Sequence, residues 1–217
     1  MLQYKVFTFN PIQVNTYVLF DETGECAVID DGAYYEEENA ELFDFIECNS
    51  LKPKLLLCTH GHIDHILGNS SFVSRYGIGL SARFDGMQYF DMAPTYAKAF
   101  GIMFSATAKP EHNLTGIDKV SFGNTELKIL HTPGHAVGSV CFYSEKDNVV
   151  FTGDLVFRYS YGRTDLPGGD FNSLRNSIIK KIFTLPDNTV ILPGHGPQSL
   201  VADEKRYNPV LEYFTER

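Results

Sequence analysis

Four side chains that commonly bind metal ions lie within six consecutive positions of the chain. They are His60, His62, Asp64 and His65, in the segment Thr-His-Gly-His-Ile-Asp-His. Imidazole nitrogens and a carboxylate are donors that zinc, iron and manganese accept. Side chains alternate along a strand and diverge by about 100° per residue along a helix, so four convergent ligands require a loop. The spacing indicates two metal centres, the first two residues facing one and the last two the other. A solvated histidine-rich turn is the alternative.

The predicted loop follows a short apolar run, residues 55–57, which is typical of a strand buried on both faces. Gly61 permits the turn after that strand, and sites in α/β proteins are commonly built at the carboxyl ends of strands. Three further apolar segments stop at a glycine-containing turn that presents His135, Asp154 or His195. We therefore expect the ends of several strands to supply one site.

Hydrophobic periodicity predicts short strands that alternate with helices. The predicted strands are residues 4–9, 16–20, 25–29, 55–57, 78–81, 119–122, 125–131, 140–143, 149–151 and 190–192. The predicted helices are residues 35–49, 66–76, 171–184 and 201–214, the last broken near Asn208-Pro209. Residues 83–113 are predicted to form helical pieces with a mobile loop around residues 106–113, and their aromatic and methionine side chains are predicted to pack in the core or roof the site. Strands followed by helices, twice over, indicate two mixed sheets packed together with helices outside.

Composition limits the function classes. The 217 residues suit one domain, and the net charge of −9 without a lysine or arginine cluster argues against nucleic acid as a partner. No segment has the apolar length of a membrane span, and the start lacks a signal-peptide pattern. The four cysteines show no paired spacing, so we expect buried free thiols and a cytoplasmic location.

The successive motifs at residues 59–65, 132–135, 152–154 and 193–196 resemble the ligand motifs of the metallo-β-lactamase superfamily. The resemblance covers nearly the whole chain. It implies an α/β fold, a four-layer αββα sandwich of two mixed β-sheets, with residues 1–217 as a single domain. It implies two divalent metal ions, with zinc expected first and iron or manganese as alternatives. The implied ligands are His60, His62 and His135 for the first metal, Asp64, His65 and His195 for the second, and Asp154 as the bridge between them.

The resemblance also implies residues around the metals. Asp30 stands where the family has Asp-Pro-Gly and is expected to orient a ligand imidazole, a polar turn being the alternative. Asp31 replaces the proline, which predicts a looser turn. His112 and His131 fall outside the ligand motifs, and we expect structural roles for both.

The segment at residues 161–170, together with Glu204-Lys205 and Asn208-Pro209, resembles the short glyoxalase II-like hydrolases. This resemblance implies hydrolysis of a small-molecule thioester of the S-lactoylglutathione type by a metal-bridging hydroxide, with Asp64 and Asp154 as catalytic residues. Arg163 is then expected to reach the glutathione moiety. A structural pair with Asp165 or Asp170 is the alternative role for this arginine.

Two departures leave the thiol carrier open. The chain ends about where glyoxalase II begins its separate glutathione-binding domain, and the tyrosine expected just after His195 is missing. A mononuclear-iron persulfide dioxygenase and a non-catalytic metal-binding scaffold remain alternatives. The full set of second-site ligands favours the hydrolase, with lactones and β-lactams as lesser substrate options. The oligomeric state is not predicted.

Overall fold

A computed structural model describes residues 1–104 and 106–214, with strands and helices that largely follow the predicted order. The strands are β1 (Gln3–Phe9), β2 (Val14–Phe20), β3 (Glu25–Ile29), β4 (Lys52–Leu57), β5 (Leu80–Ala82), β6 (His112–Asn113), β7 (Lys119–Phe122), β8 (Thr125–His131), β9 (Val140–Ser144), β10 (Val149–Gly153), β11 (Val156–Phe157), β12 (Ser160–Tyr161), β13 (Val190–Pro193) and β14 (Ser199–Leu200). The α-helices are α1 (Glu36–Cys48), α2 (Asn69–Tyr76), α3 (Met87–Ala99), α4 (Phe171–Ser177) and α5 (Val201–Tyr207).

The strands form two large mixed sheets, as predicted. The first has the order β1-β2-β3-β4-β5-β6, with an antiparallel meander over β1 to β3 and parallel pairs from β3 to β6. The second has the order β14-β13-β10-β9-β8-β7, in which β10 and β13 are parallel and the other neighbours antiparallel. A small hairpin, β11-β12, follows β10.

Three apolar cores hold four layers together, and alternation along the strands builds them. In β2, Val18 faces the core shared with α1 to α3, whereas Tyr17 and Leu19 face the core between the sheets. In β10, Phe151 joins that central core and Val150 points outward, against α4 and α5. Each of these two strands therefore buries side chains on both faces, because successive residues point to opposite sides. The predicted αββα sandwich is confirmed.

The topology places the predicted site at one edge of both sheets. β3 and β4 are parallel, so their carboxyl ends lie side by side, and the same holds for β10 and β13. β8 runs with β10, since each is antiparallel to β9, and its carboxyl end reaches the same edge. Hydrogen bonds from β2 join the sheets there: the Asn15 amide donates to the Gly194 carbonyl at 2.7 Å, and the Tyr17 hydroxyl donates to the Pro193 carbonyl at 2.7 Å.

Several local predictions need correction. Asp64 and His65 lie in a separate 3₁₀ turn over Ile63–His65, and the helix expected from residue 66 begins at Asn69. The helix predicted over 171–184 ends at Ser177 and continues as a wider π-helical turn to Ile182. Cys48, at the end of α1, is exposed, whereas the other three cysteines are buried as expected; all four are free.

The structure adds strands that the sequence did not predict. They are β6, β11, β12 and β14, each two residues long, which is too short for alternation to show. Within residues 1–104 and 106–214, no helix has both the length and the apolar character needed to cross a lipid bilayer.

Gly134 provides a test of how α4 packs against the turn that carries His135. It has φ +134°, and a Cβ atom there would lie 2.0 Å from the Leu174 nitrogen in α4. We expect Gly134→Ala to lower the free energy of unfolding by more than about 2 kcal/mol, because both strain and overlap result. The control is Gly77→Ala, because Gly77 has φ +67° but a Cβ atom there would meet no other atom within 4 Å. Backbone strain alone should then lower the free energy of unfolding by about 1 kcal/mol. Chemical denaturation that shows equal losses of unfolding free energy for the two variants would contradict the close packing of Gly134 against α4.

Candidate metal centre

The structure brings all seven predicted ligands together at the shared sheet edge. Their ligand atoms form three groups, and within each group all the atoms lie within 4.8 Å of one another. The groups are His60, His62 and His135; His60, His65 and Asp154; and Asp64, His65 and His195. The first and third groups correspond to the two centres that the motifs predict.

Asp154, which follows β10, lies between these two groups. Its Oδ1 is 3.3 Å from His65 Nε2, and its Oδ2 is 3.6 Å from both His135 Nε2 and His195 Nε2. Asp64 lies on the second side only, with Oδ2 3.0 Å from His195 Nε2 and 3.6 Å from His65 Nε2. Asp154 therefore occupies the position expected of a bridging carboxylate.

Hydrogen bonds on the outer side of the rings fix the tautomers. His135 Nδ1 donates to the Arg163 carbonyl at 2.8 Å, and His195 Nδ1 donates to the Gln13 carbonyl at 3.0 Å. His65 Nδ1 donates to Asp30 Oδ2 at 2.9 Å. A carbonyl or carboxylate can only accept, so in the neutral ring the proton lies on Nδ1 and the Nε2 lone pair faces inward.

Asp30 organises a second histidine through Thr59. Its carboxylate accepts from the Thr59 amide at 2.7 Å and from the Thr59 hydroxyl at 2.6 Å. The hydroxyl proton is thus used, and the Thr59 oxygen accepts from His60 Nδ1 at 3.0 Å. His60 Nε2 then presents a lone pair towards His62 Nδ1, 3.1 Å away. Asp30, at the end of β3, touches one predicted ligand directly and another through Thr59.

Inward-facing atoms of the cluster lack hydrogen-bond partners. His65 Nε2, His135 Nε2 and Asp154 Oδ1 are buried and unpaired. A buried polar atom without a partner costs about 1–3 kcal/mol, and several converging lone pairs also repel one another. Divalent cations would satisfy all of these atoms, and imidazole with carboxylate is a suitable donor set. The residues present therefore fit the metal ions that the fold family binds.

Burial keeps three of the imidazoles neutral. It lowers the pKa of His60 and His135, and it lowers the pKa of His62 to about 3; positive charge on neighbouring histidines adds to the effect. Burial alone would raise the pKa of Asp64 and Asp154, but positive charge on the neighbouring histidines, His65 first among them, and hydrogen bonds from these rings together lower both. Neutral imidazoles and ionised carboxylates are the protonation states that metal binding needs.

The other two histidines show that the cluster attracts positive charge. Burial opposes protonation of His65, yet Asp154, Asp64 and Asp30 raise its pKa well above the usual value. Burial also opposes protonation of His195, yet a hydrogen bond that Asp64 accepts from the protonated ring, together with the charge of Asp154, raises its pKa. The carboxylates thus draw protons onto these rings when no other cation balances them.

A cavity of about 450 Å³ lies over the cluster. Its floor consists of His62, Asp64, His135, Asp154 and His195. Its walls consist of Ile12, Ile63, Tyr89, Tyr96, Phe100, Phe157, Ser160, Tyr161, Arg163, Leu166 and Pro167. The aromatic stripe predicted between residues 83 and 113 has both predicted roles, since Phe90 packs in the core and Tyr89 lines the cavity.

Arg163 lies in the cavity wall, but its guanidinium has a partner within the chain. Nε and Nη2 donate to the two oxygens of Asp165 at 2.7 and 2.6 Å. Asp170, the other candidate partner, instead accepts from the Ser173 amide and caps α4. The geometry matches the structural-pair alternative for Arg163, whose carbonyl also holds His135.

Tyr89 is a site residue that the motifs did not reveal. Its hydroxyl donates to the Pro167 carbonyl at 2.8 Å and accepts from the Val137 amide at 3.1 Å. Its ring packs edge-on to His62, with centroids 5.1 Å apart. Tyr89 thus ties α3 to the loops that follow His135 and Arg163. An aromatic residue in an ordinary helix carries no signal that would predict this role.

Two acidic residues outside the cluster shape its surroundings. Glu204, fully buried, accepts hydrogen bonds from Ser199, Asn208 and the Tyr159 amide, and so anchors the β11-β12 turn beside the cavity. Asp31 is also fully buried, and its Oδ1 accepts a hydrogen bond from the Ala33 amide.

His112 and His131 are exposed and lie outside the cluster.

The family model for the metallo-β-lactamase superfamily matches residues 9–195, and the chain belongs to this superfamily. It is similar to the probable metallo-hydrolase YqgX of Bacillus subtilis, with 32% identity over 99% of this chain and 100% of that protein. It is also similar to the hydroxyacylglutathione hydrolase GloC of Haemophilus influenzae, with 32% identity over 97% of this chain and 98% of that protein. The chain therefore shares its superfamily with proteins that are named as metal-dependent hydrolases.

Solved structures agree with this assignment. The B3 metallo-β-lactamase BLEG-1 superposes with a TM-score of 0.89 and 32% identity, covering 99% of this chain and 100% of that one. TTHA1623 in a di-iron-bound form superposes with a TM-score of 0.84 and 32% identity, covering 94% of this chain and 98% of that one. ETHE1 from Myxococcus xanthus superposes with a TM-score of 0.75 and 26% identity, covering 95% of this chain and 83% of that one. A protein of the same fold therefore holds two iron ions.

The Tyr89 hydroxyl can be tested by Tyr89→Phe. The change leaves the Val137 amide and the Pro167 carbonyl without their partner, so we expect the free energy of unfolding to fall by about 1–2 kcal/mol. Tyr207→Phe, at a tyrosine that is 58% exposed, is the control and should change it by less than about 0.5 kcal/mol. Denaturation that leaves both variants alike would contradict the bridging role.

Asp31 predicts a specific pH dependence of stability. Burial raises the pKa of Asp31 from 3.8 to about 7. The folded protein therefore holds a proton that the unfolded chain loses above pH 3.8, and this contribution to stability is lost as pH rises through about 7. Asp31→Asn removes the titration. Between pH 5 and pH 8 we expect the wild type to lose roughly 2 kcal/mol more than the variant, since one pKa unit is worth about 1.36 kcal/mol. Parallel pH profiles at equal metal content would refute this.

Proposed function

We propose that this protein is a binuclear metallohydrolase that cleaves a thioester. The observation that supports the proposal most strongly is the convergence of seven metal-binding side chains in one cluster, five of which form the floor of a cavity. His60, His62 and His135 would hold one divalent ion, Asp64, His65 and His195 a second, and Asp154 would contact both. Zinc is the expected metal, and the di-iron form of TTHA1623 makes iron a reasonable alternative.

When bound there, the metals would lower the pKa of water towards 7 and so provide hydroxide near a substrate carbonyl. The protein supplies the arrangement around them. Asp30 holds His65 directly and His60 through Thr59, so the donor nitrogens are oriented before any ligand arrives. The cavity above the cluster holds the substrate and excludes much of the surrounding water.

The remaining cavity residues favour a good leaving group. Every imidazole and carboxyl group among the described lining residues belongs to the metal-binding set. No further group with an ordinary pKa near 7 therefore lines the described wall to protonate a departing amine. A thiolate, whose parent thiol has a pKa near 8.5, leaves with little help from an acid. The name of the relative GloC, a hydroxyacylglutathione hydrolase, agrees with this preference.

A persulfide dioxygenase is the second candidate, because such an enzyme, ETHE1, is among the similar structures. It would need one iron, and the second group of ligands here would then have no role. The retained Asp64, His65 and His195 group favours the hydrolase.

Metal analysis combined with a substrate panel tests the proposal. We expect two metal ions per chain and hydrolysis of thioesters in preference to a lactone or a β-lactam. Asp154→Asn should lower kcat/KM by about 100-fold or more, because one carboxylate serves both ions. Asp44→Asn, at an exposed position of α1, is the matched control and should retain activity.

Two results would contradict the proposal. One iron per chain with oxygen uptake on glutathione persulfide would favour the dioxygenase. A fully metal-loaded protein that cleaves no thioester, lactone or β-lactam would favour a non-catalytic scaffold.

A further inference from the structure

The chemistry of the cavity walls indicates which part of a substrate they accept. Apolar and aromatic side chains dominate the described wall, and they reach the metal ligands on both sides. The Tyr89 ring lies 5.1 Å from His62, and the Phe157 ring lies 6.1 Å from His195. A group bonded to the reacting carbonyl would therefore contact an apolar surface directly.

The same walls offer little charge for a polar carrier. Among the described lining residues outside the floor, Arg163 is the one cationic side chain, and its guanidinium is already paired with Asp165. Glutathione carries two carboxylates and one ammonium group, and binding it by charge would require that pair to break. The net charge of −9 gives no long-range attraction for an anionic substrate either.

The acyl half of the thioester is the part that suits this cavity. Biological thiols that form thioesters are polar and charged, whereas an acyl group can be entirely apolar. Burial of apolar surface gives about 25 cal/mol per Å², which drives such a group into the cavity. The volume of about 450 Å³ is ample for an aromatic ring or a medium-length alkyl chain.

We propose that the substrate is a thioester with a bulky apolar acyl group, and that its thiol carrier is not recognised by charge. This inference rests on the proposed hydrolase function and adds the substrate class. Phe100 marks the rim of the apolar wall: it follows α3, lines the cavity and is nevertheless 54% exposed. A large exposed aromatic side chain at a cavity mouth is suited to cover an apolar ligand.

Four thioesters test the inference: acetyl and phenylacetyl groups, each on glutathione and on the uncharged thiol N-acetylcysteamine. We expect kcat/KM to be about 10-fold or more higher for phenylacetyl than for acetyl on either carrier. Changing the carrier should alter kcat/KM by less than about threefold. Calorimetric titration of the products gives a readout independent of turnover, and phenylacetate should bind about 10-fold more tightly than acetate.

Phe100→Ala should reduce the phenylacetyl preference by about threefold or more. Met103→Ala, at a position that is 87% exposed and absent from the cavity wall, is the control and should leave the preference unchanged. Both positions are too exposed for the changes to threaten folding.

Two outcomes would overturn the inference in distinguishable ways. A preference for glutathione over N-acetylcysteamine of 10-fold or so, with acetyl equal to phenylacetyl, would refute the substrate class and leave the hydrolase standing. Hydrolysis of none of the four by protein with two bound metal ions would refute both.

Discussion

The site depends on where the histidine protons are. His65, His135 and His195 each donate Nδ1–H to an acceptor that has no proton to give. His60 likewise donates Nδ1–H, to the hydroxyl oxygen of Thr59. Each Nε2 lone pair must then face the interior of the cluster, where two carboxylates also point. Such a concentration of unpaired acceptors is unfavourable without positive charge, and this explains why the carboxylates raise the pKa of His65 and His195.

The relative position of the two sheets keeps the ligands together. Ligands come from both sheets, so the two sheets must hold a fixed position relative to each other at this edge. Hydrogen bonds from Asn15 and Tyr17 in the first sheet to the turn before His195 in the second maintain that position. Gly194 allows the backbone to lie against the ligands, since a Cβ atom there would be 2.2 Å from Asp154 Oδ1 and 2.7 Å from His65 Cε1. Backbone and ligands therefore fit together without room for a side chain.

The four-layer fold and the identity of the clustered residues could be predicted because each ligand follows an apolar strand and a turn with its own local pattern. Features that depend on distant contacts could not. Tyr89 reaches two loops through one hydroxyl, which periodicity does not encode. For Arg163 the sequence offers both glutathione binding and a pair with Asp165, and the structure has that pair. Asp31 is fully buried and accepts a hydrogen bond from the Ala33 amide, and its position in the sequence gives no sign of that burial.

The central claim is that one cluster of seven side chains holds two metal ions. Anomalous diffraction at the absorption edge of the bound metal, from crystals of the protein as purified, tests it most directly. The account predicts two peaks, one among His60, His62 and His135 and the other among Asp64, His65 and His195, with Asp154 in contact with both. A single peak, or peaks away from these residues, would contradict it.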